Sequence, residues 1–287
     1  MPSLANITRR SLNTLGGDQA LLLARFIRKL PALWRQERCA AQHRGEPWSD
    51  NRIIVAGERG EFFPIYSPDN LTEPEGGYLR TYNVFLHQAN AWYMRREVQN
   101  FIRYARRGRC FADVGSAEGF YSALFASIHG PQAEILSIDC GSITGCNPSH
   151  TPIVIQQNRQ TFSPRRWDFI KAFVTDAHRQ PPDFELPSDC QIETLPALCQ
   201  AADFSPDLIK FDIESSEYEV LLDSLHWLQS VRPTLIIEVH NEIFKRRHLH
   251  FRPVLEALQS IGYRVVAYDD RDYLRADNCH IVMQCPG

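Results

Sequence analysis

Residues Phe111–Ser122 read FADVGSAEGFYS: an apolar run, an acid at Asp113, Gly115 and Gly119 spaced four apart, then a second apolar run. Cys110 to Val114 predicts a short buried strand and Phe120 to Ile128 a helix, so the glycines mark a tight turn between them. Glycine at these positions frees the backbone to turn sharply and to approach a ligand closely, and the first turn of the helix offers unpaired amides. The unit is therefore read as a strand, glycine turn and helix that hold a nucleotide-type ligand.

Outward from this turn, strands and helices alternate. Glu134 to Ile138, Phe169 to Val174, Leu208 to Phe211 and Thr234 to Val239 read as strands, and Tyr218 to Leu228 and Val254 to Ile261 as helices. Arg264 to Tyr268 and His280 to Gln284 read as two closing strands. Such alternation predicts a mostly parallel sheet with helices on both faces and its ligand at the carboxyl ends of the strands. Neither the dinucleotide fingerprint GxGxxG nor the phosphate-cradling GxxxxGK[ST] is present. Instead Asp113, Gly115, Ala117 and Gly119 stand at alternate positions around Ser116. That spacing resembles the D/E-x-G-x-G-x-G opening of S-adenosylmethionine-dependent methyltransferases, with Ala117 in place of the middle glycine, and it makes these five residues the first cofactor-binding candidates. Asp139 closes the next strand, where adenosine-binding folds place a carboxylate for the ribose hydroxyls, although the residue also suits a loop cap. Asp176 follows the third strand, where methyltransferases often hold the adenine amino group.

Two further stretches carry acids at strand ends: Asp207–Glu219, DLIKFDIESSEYE, and Arg232–His240, RPTLIIEVH. Asp212 and Glu214 lie two residues apart and project to one face if the chain stays extended, as do Glu238 and His240. Carboxylates beside an apolar strand are costly unless something compensates them, which makes Asp212 and Glu214 candidate catalytic residues. His240 reads as a structural strand-end residue or, facing carboxylates, as one that can serve as a base near neutral pH. Ser216 and Glu219 have the spacing of a helix capping box, which gives Glu219 a structural reason to exist. Lys245, Arg246 and Arg247 read as a solvated basic segment that also suits an anionic substrate.

Together with FADVGSAEGFYS, these stretches resemble the FkbM family of methyltransferases. Its pattern runs D-V-G-A-x-x-G-x-Y-S, then I-K-x-D-x-E-G-x-E-x-x-V-L, then P-x-x-x-x-E. The likeness covers roughly residues 97 to 270, with Ser215 where the family has glycine and Asp139 where it often has glutamate. It implies an α/β, Rossmann-like class I methyltransferase fold with a mostly parallel seven-stranded sheet, S-adenosyl-L-methionine as cofactor, and O-methylation of a hydroxyl on a natural product, sugar or glycan. Methyl transfer needs a base for the incoming hydroxyl, and Asp212, Glu214, Glu238 and His240 all qualify. The oxygens of Asp212, Glu214 and Glu238 are also hard donors of the kind Mg²⁺ takes. The rival readings are a nicotinamide-dependent oxidoreductase, which shares the sheet but calls for GxGxxG, and an inactive cofactor-binding module of the same fold.

Composition sets the rest. Of 287 residues 44% are hydrophobic and 23% charged, the balance of an ordinary globular chain, and the net charge of −3 argues against a nucleic-acid partner held by phosphate contacts. Through residue 45, eight Lys and Arg stand against Asp18 and Glu37, so the chain begins with a basic arm and the remainder carries about nine negative charges. The expected division begins with a basic, mainly helical arm over 1–46 that reads as an ordinary docking helix, with an anionic membrane or a partner as the other occupant of that face. A loop-rich lid with one strand at Arg52 to Ala56 and a lead-in helix follow over 47–108, and the methyltransferase domain over 109–287. No stretch is long and apolar enough to span a bilayer, and eight cysteines without CxxC pairs fit reduced thiols of a cytoplasmic protein.

Overall fold

The computed structural model describes residues 52–66, 89, 95–141, 150–178, 185–270 and 272–286, all within a compact unit, Ser49–Gly287. The basic arm, and with it the docking helix or membrane contact expected of it, lies outside the described residues.

The hydrophobic pattern forms a sheet covered on both faces. Its strands are β3 (Cys110–Val114), β4 (Glu134–Asp139), β5 (Arg166–Thr175), β6 (Gln191–Thr194), β7 (Leu208–Phe211), β8 (Thr234–Val239), β9 (Arg264–Tyr268) and β10 (Cys279–Gln284). They lie in the order β6-β5-β4-β3-β7-β8-β10-β9. β3 to β8 pair in parallel, whereas β10 is antiparallel to both β8 and β9. The sheet thus has eight strands rather than the expected seven. The additional one, β6, is a four-residue edge strand whose polar sequence QIET carries no apolar run to announce it.

Strand alternation sends successive side chains to opposite faces. Ala112, Val114, Leu136 and Ile138 pack into one core with α4 (Leu195–Ala201), α5 (Glu217–Asp223), α6 (Leu225–Val231) and α8 (Arg252–Ser260), while Phe111 and Ile135 enter the other. The second core is covered by α1 (Arg95–Ala105), α2 (Phe120–His129) and α3 (His150–Phe162). There Phe111 meets Phe101 edge-on at 5.2 Å and stacks on Phe125 at 5.1 Å. A buried polar chain ties the two layers: Trp167 Nε1 donates to Ser137 Oγ at 2.9 Å, which lies 2.7 Å from Ser122 Oγ, which donates to Asp113 at 2.6 Å.

Within 47–108 the expected strand, Arg52–Ala56, and the lead-in helix, α1, are present, and most of the loop-rich stretch between them lies outside the described residues. β1 (Arg52–Ala56) and β2 (Phe62–Tyr66) make an antiparallel hairpin that buries Ile53, Val55 and Ile65 on the helical face. Asn158 of α3 exchanges two hydrogen bonds with the backbone of Tyr66, and Gln99 of α1 donates to Ala56 O. The helix expected over 218–228 is two helices that meet at Ser224. No helix among the described residues is long and apolar enough to cross a membrane.

Candidate active site

Because β3, β4, β5, β7 and β8 are parallel, their carboxyl ends share one edge of the sheet. The glycine turn sits at its centre. Gly115 has φ 83° and donates to Ile138 O at 2.9 Å. A Cβ on Gly115 would fall 1.8 Å from Asp212 O, so the glycine is demanded by the next strand's backbone, and a side chain there would damage the fold before it met any ligand. Gly119, with φ 86°, caps α2 and has only ordinary space around it. Ala117 is also left-handed, at φ 46°. Its amide and that of Gly141 donate to the two oxygens of Asp139 at 2.8 and 2.7 Å, so Asp139 does cap a loop and also pins the turn. Burial pushes the Asp139 carboxyl above its ordinary range, against the pull of those amides. Ser116 Oγ is buried and has no hydrogen-bond partner among the described residues.

Asp113 is placed differently from its expected role. It is 1% exposed and accepts from the amide and hydroxyl of Ser122, so its carboxylate latches β3 to α2 behind the turn. Asp176, at the end of β5, is half-buried and accepts from the amide of His178.

Asp212, Glu214, Glu238 and His240 come together, as their strand-end positions predict. His240 is 2% exposed, and its Nε2 lies 3.7 Å from Asp212 Oδ1, 3.7 Å from Glu214 Oε2 and 3.6 Å from Glu238 Oε1. Its Nδ1 meets the buried Glu217 at 3.1 Å. Glu214 and Ser215 hold φ of 53° and 81°, a left-handed pair that turns the chain after β7 so that both acids face His240. Arg247 secures that turn by donating to Ser215 O and Oγ at 2.9 and 3.0 Å and by pairing with Glu219. Arg247 and Glu219 are thereby occupied with each other, and Ser216 makes no side-chain cap. Glu217 takes the reach-back role instead, accepting from Ile213 N at 2.7 Å.

A second ring of charges stands behind the cluster. Lys210, 1% exposed in the apolar run of β7, reaches Asp212 Oδ2 at 2.8 Å and lies 4.7 Å over the Tyr121 ring. His280 on β10 contacts Glu238 Oε2 at 3.1 Å, Glu97 at 3.2 Å and Asp269 at 3.1 Å. Glu97, from α1, also receives the Tyr121 hydroxyl. Burial raises the Asp212 carboxyl to about 7 against Lys210's attraction, with Glu238 adding to the rise. Burial would also lift Glu238, but His280 and then Lys210 hold it well below the usual carboxylate range. His240 would be lowered by burial, yet the hydrogen bond and charge of Glu217, with Glu238 and Asp212, raise it to about 9.

Residues 187–265, which contain β7, the Glu214 turn and β8, match the methyltransferase FkbM domain. Among solved structures, the FkbM methyltransferase of Methylobacillus flagellatus KT is 15% identical over 71% of this chain and 54% of its own, with a TM-score of 0.45. The TDP-rhamnose 3'-O-methyltransferase of calicheamicin biosynthesis is 12% identical over 74% and 87%, with a TM-score of 0.44. The Methanococcus jannaschii fibrillarin pre-rRNA processing protein is 11% identical over 85% and 86%, with a TM-score of 0.42. No curated protein is significantly similar in sequence.

The FkbM match holds the two strands that carry the acidic cluster. The glycine turn lies outside it and joins it in space through Gly115 and Asp212. With β10 set antiparallel between β8 and β9 and the other strands parallel, the chain has a Rossmann-like α/β fold. Sequence reasoning missed Lys210, His280 and Glu97 as site members. A lysine inside LIKF and a histidine inside CHIVM are charges in apolar strands, a signal open to reading. Glu97 sits in the polar sequence RREVQ, where nothing sets it apart.

Proposed function

We propose that the chain is an S-adenosylmethionine-dependent O-methyltransferase acting on a hydroxyl of a natural product, sugar or glycan. The observation that carries the reading is the contact of Gly115 with the backbone of Asp212, which sets the glycine turn and the acidic cluster side by side at one edge of the sheet. The turn suits the cofactor: the backbone from Gly115 to Gly119 has no bulk at its two glycines, Ser116 offers a buried hydroxyl with no hydrogen-bond partner among the described residues, and Asp139 and Asp176 stand at the two neighbouring strand ends. When bound, S-adenosylmethionine supplies an electrophilic methyl group.

The chain's own residues supply position and proton transfer. Asp212 and Glu214, with side chains 31% and 36% exposed, are the members of the cluster an incoming hydroxyl reaches. A carboxylate oxygen of one of them accepts the hydroxyl proton as the oxygen attacks, and His240, held by Glu217, faces both acids from behind. Calorimetry should show saturable S-adenosylmethionine binding, and methyl transfer to a panel of sugar and polyol acceptors should identify a substrate class. Glu214→Gln should keep cofactor affinity and lower turnover by roughly 10²-fold, the scale of a lost general base. Unchanged turnover in that variant would remove Glu214 from the chemistry, and a chain that binds the cofactor yet methylates no hydroxyl would favour the inactive module.

A further inference from the structure

Three side chains of the cluster share one arrangement. Asp212 gives Oδ2 to Lys210 and turns Oδ1 inward; Glu238 gives Oε2 to His280 and turns Oε1 inward; His240 gives Nδ1 to Glu217 and turns Nε2 inward. One ligand atom from each of the three residues lies within 4.8 Å of the other two, and Glu214 Oε2 stands 3.7 Å from His240 Nε2 on the half-exposed side. If His240 were there only to pair with a carboxylate, Nε2 would close on one oxygen at about 2.7–2.9 Å. It stands instead 3.6 to 3.7 Å from three of them, outside hydrogen-bonding range of all. Ligands held about 2.1 Å from one ion are separated from each other by about 3.0–4.2 Å, and the three separations from His240 Nε2 fall in that range.

We infer that Asp212, Glu238 and His240, with Glu214 at the mouth, form a centre for one divalent first-row transition ion of the Mn²⁺, Fe²⁺ or Zn²⁺ type. The inference uses the cluster of the proposed function and does not depend on methyl transfer. Imidazole nitrogen among carboxylate oxygens suits these ions, whereas Mg²⁺ prefers oxygen and water alone. The occupied outer atoms are the partners a metal site needs, because a ligand whose far atom is fixed keeps its near atom aimed. Glu217 is itself fixed by Ile213 N at 2.7 Å, so the orientation of His240 is traced to the backbone. Within reach of Nε2 and Nδ1, four carboxylates surround one imidazole, a surplus of negative charge that Lys210 and His280 only partly offset.

The test uses the full chain, stripped with a chelator and dialysed. Titration with Mn²⁺, followed by the loss of its free electron-spin-resonance signal and by calorimetry, should show one saturable site per chain with at least tenfold preference over Mg²⁺. Asp212→Asn and His240→Ala should each abolish it, and Glu217→Gln, which touches no ion, should weaken it by about 10–100-fold. Thermal unfolding in chelator checks that each variant is folded; if His240→Ala is not, Glu238→Gln replaces it. No saturable uptake by the parent chain, or equal uptake by Asp212→Asn, overturns the centre, and equal affinity for Mg²⁺ overturns the role of His240. S-adenosylmethionine binding by the stripped chain is measured in parallel. Mn²⁺ uptake without cofactor binding leaves the centre standing and sinks the methyltransferase reading; cofactor binding without Mn²⁺ uptake does the reverse.

Discussion

Ser215 shows how much a single backbone angle decides. The FkbM pattern has glycine there, and φ of 81° supplies the reason, since an L side chain at that angle costs about 1 kcal/mol or more. Here the serine is retained with its hydroxyl and carbonyl both bound by Arg247. Ser215→Gly relieves the angle and forfeits one hydrogen bond while the carbonyl contact remains, so its stability should stay within about 1 kcal/mol of the parent. Ser215→Val keeps the unfavourable angle, adds a branched side chain at a buried position and loses the hydrogen bond, and should cost about 2 kcal/mol or more. Chemical denaturation of the two variants decides it; equal losses would mean that the turn is not held as described. The capping-box reading failed at the same scale. A capping box has Glu219 reach back to the start of its own helix, whereas Arg247, 28 residues away, takes that carboxylate. A partner so distant leaves no mark on the local spacing.

At the scale of elements, legibility followed hydrophobic pattern. β3, β7, β8 and β9 were readable to the residue because each is a short apolar run closed by a turn or an acid. α3, HTPIVIQQNRQTF, mixes polar residues through both faces, so its pattern announces no helix. The joints between elements were less readable than the elements, and Asp113 is the clearest case, since the residue that opens the motif proves to be a latch. Burial pushes its carboxyl up to about 6, although Lys210 and the hydrogen bonds from Ser122 resist. A folded pKa above the unfolded value of about 3.9 means that the protonated carboxyl is favoured in the fold. Its contribution is full below about pH 4 and is lost as pH rises through about 6, to the extent of about 3 kcal/mol. Asp113→Asn has no such group and still offers an oxygen to Ser122. Its stability relative to the parent should therefore rise between pH 4 and pH 6.5, measured by urea midpoints at each pH. A difference that stays flat across that window would show that Asp113 remains ionised in the fold.

For the molecule as a whole, the division at residue 109 expected from the motifs cuts through the domain. The glycine turn begins there, but α1 and the hairpin β1–β2 belong to the same core, with Val98, Phe101, Ile102, Ile53 and Ile65 buried against α2 and its neighbours. Each such side chain contributes about 1.5–3 kcal/mol by burial, so together they rival the 5–15 kcal/mol that keeps a domain folded. Electrostatics points the same way: Glu97 lies 3.2 Å from His280 and 3.8 Å from Lys210, and its loss would leave two buried cations with less to balance them. The site is thus assembled from both sides of the motif boundary, with Glu97 supplied by a helix that carries no motif. A chain that starts at Arg109 should therefore lack a cooperative thermal transition and elute as an aggregate, whereas one that starts at Ser49 keeps every one of these contacts and should melt cooperatively with S-adenosylmethionine affinity intact. The comparison is made by circular dichroism, size-exclusion chromatography and calorimetry on the two truncations. A well-folded, cofactor-binding chain from Arg109 onward would show that α1 and the hairpin are an attachment to the domain and that Glu97 has no part in holding Lys210 and His280.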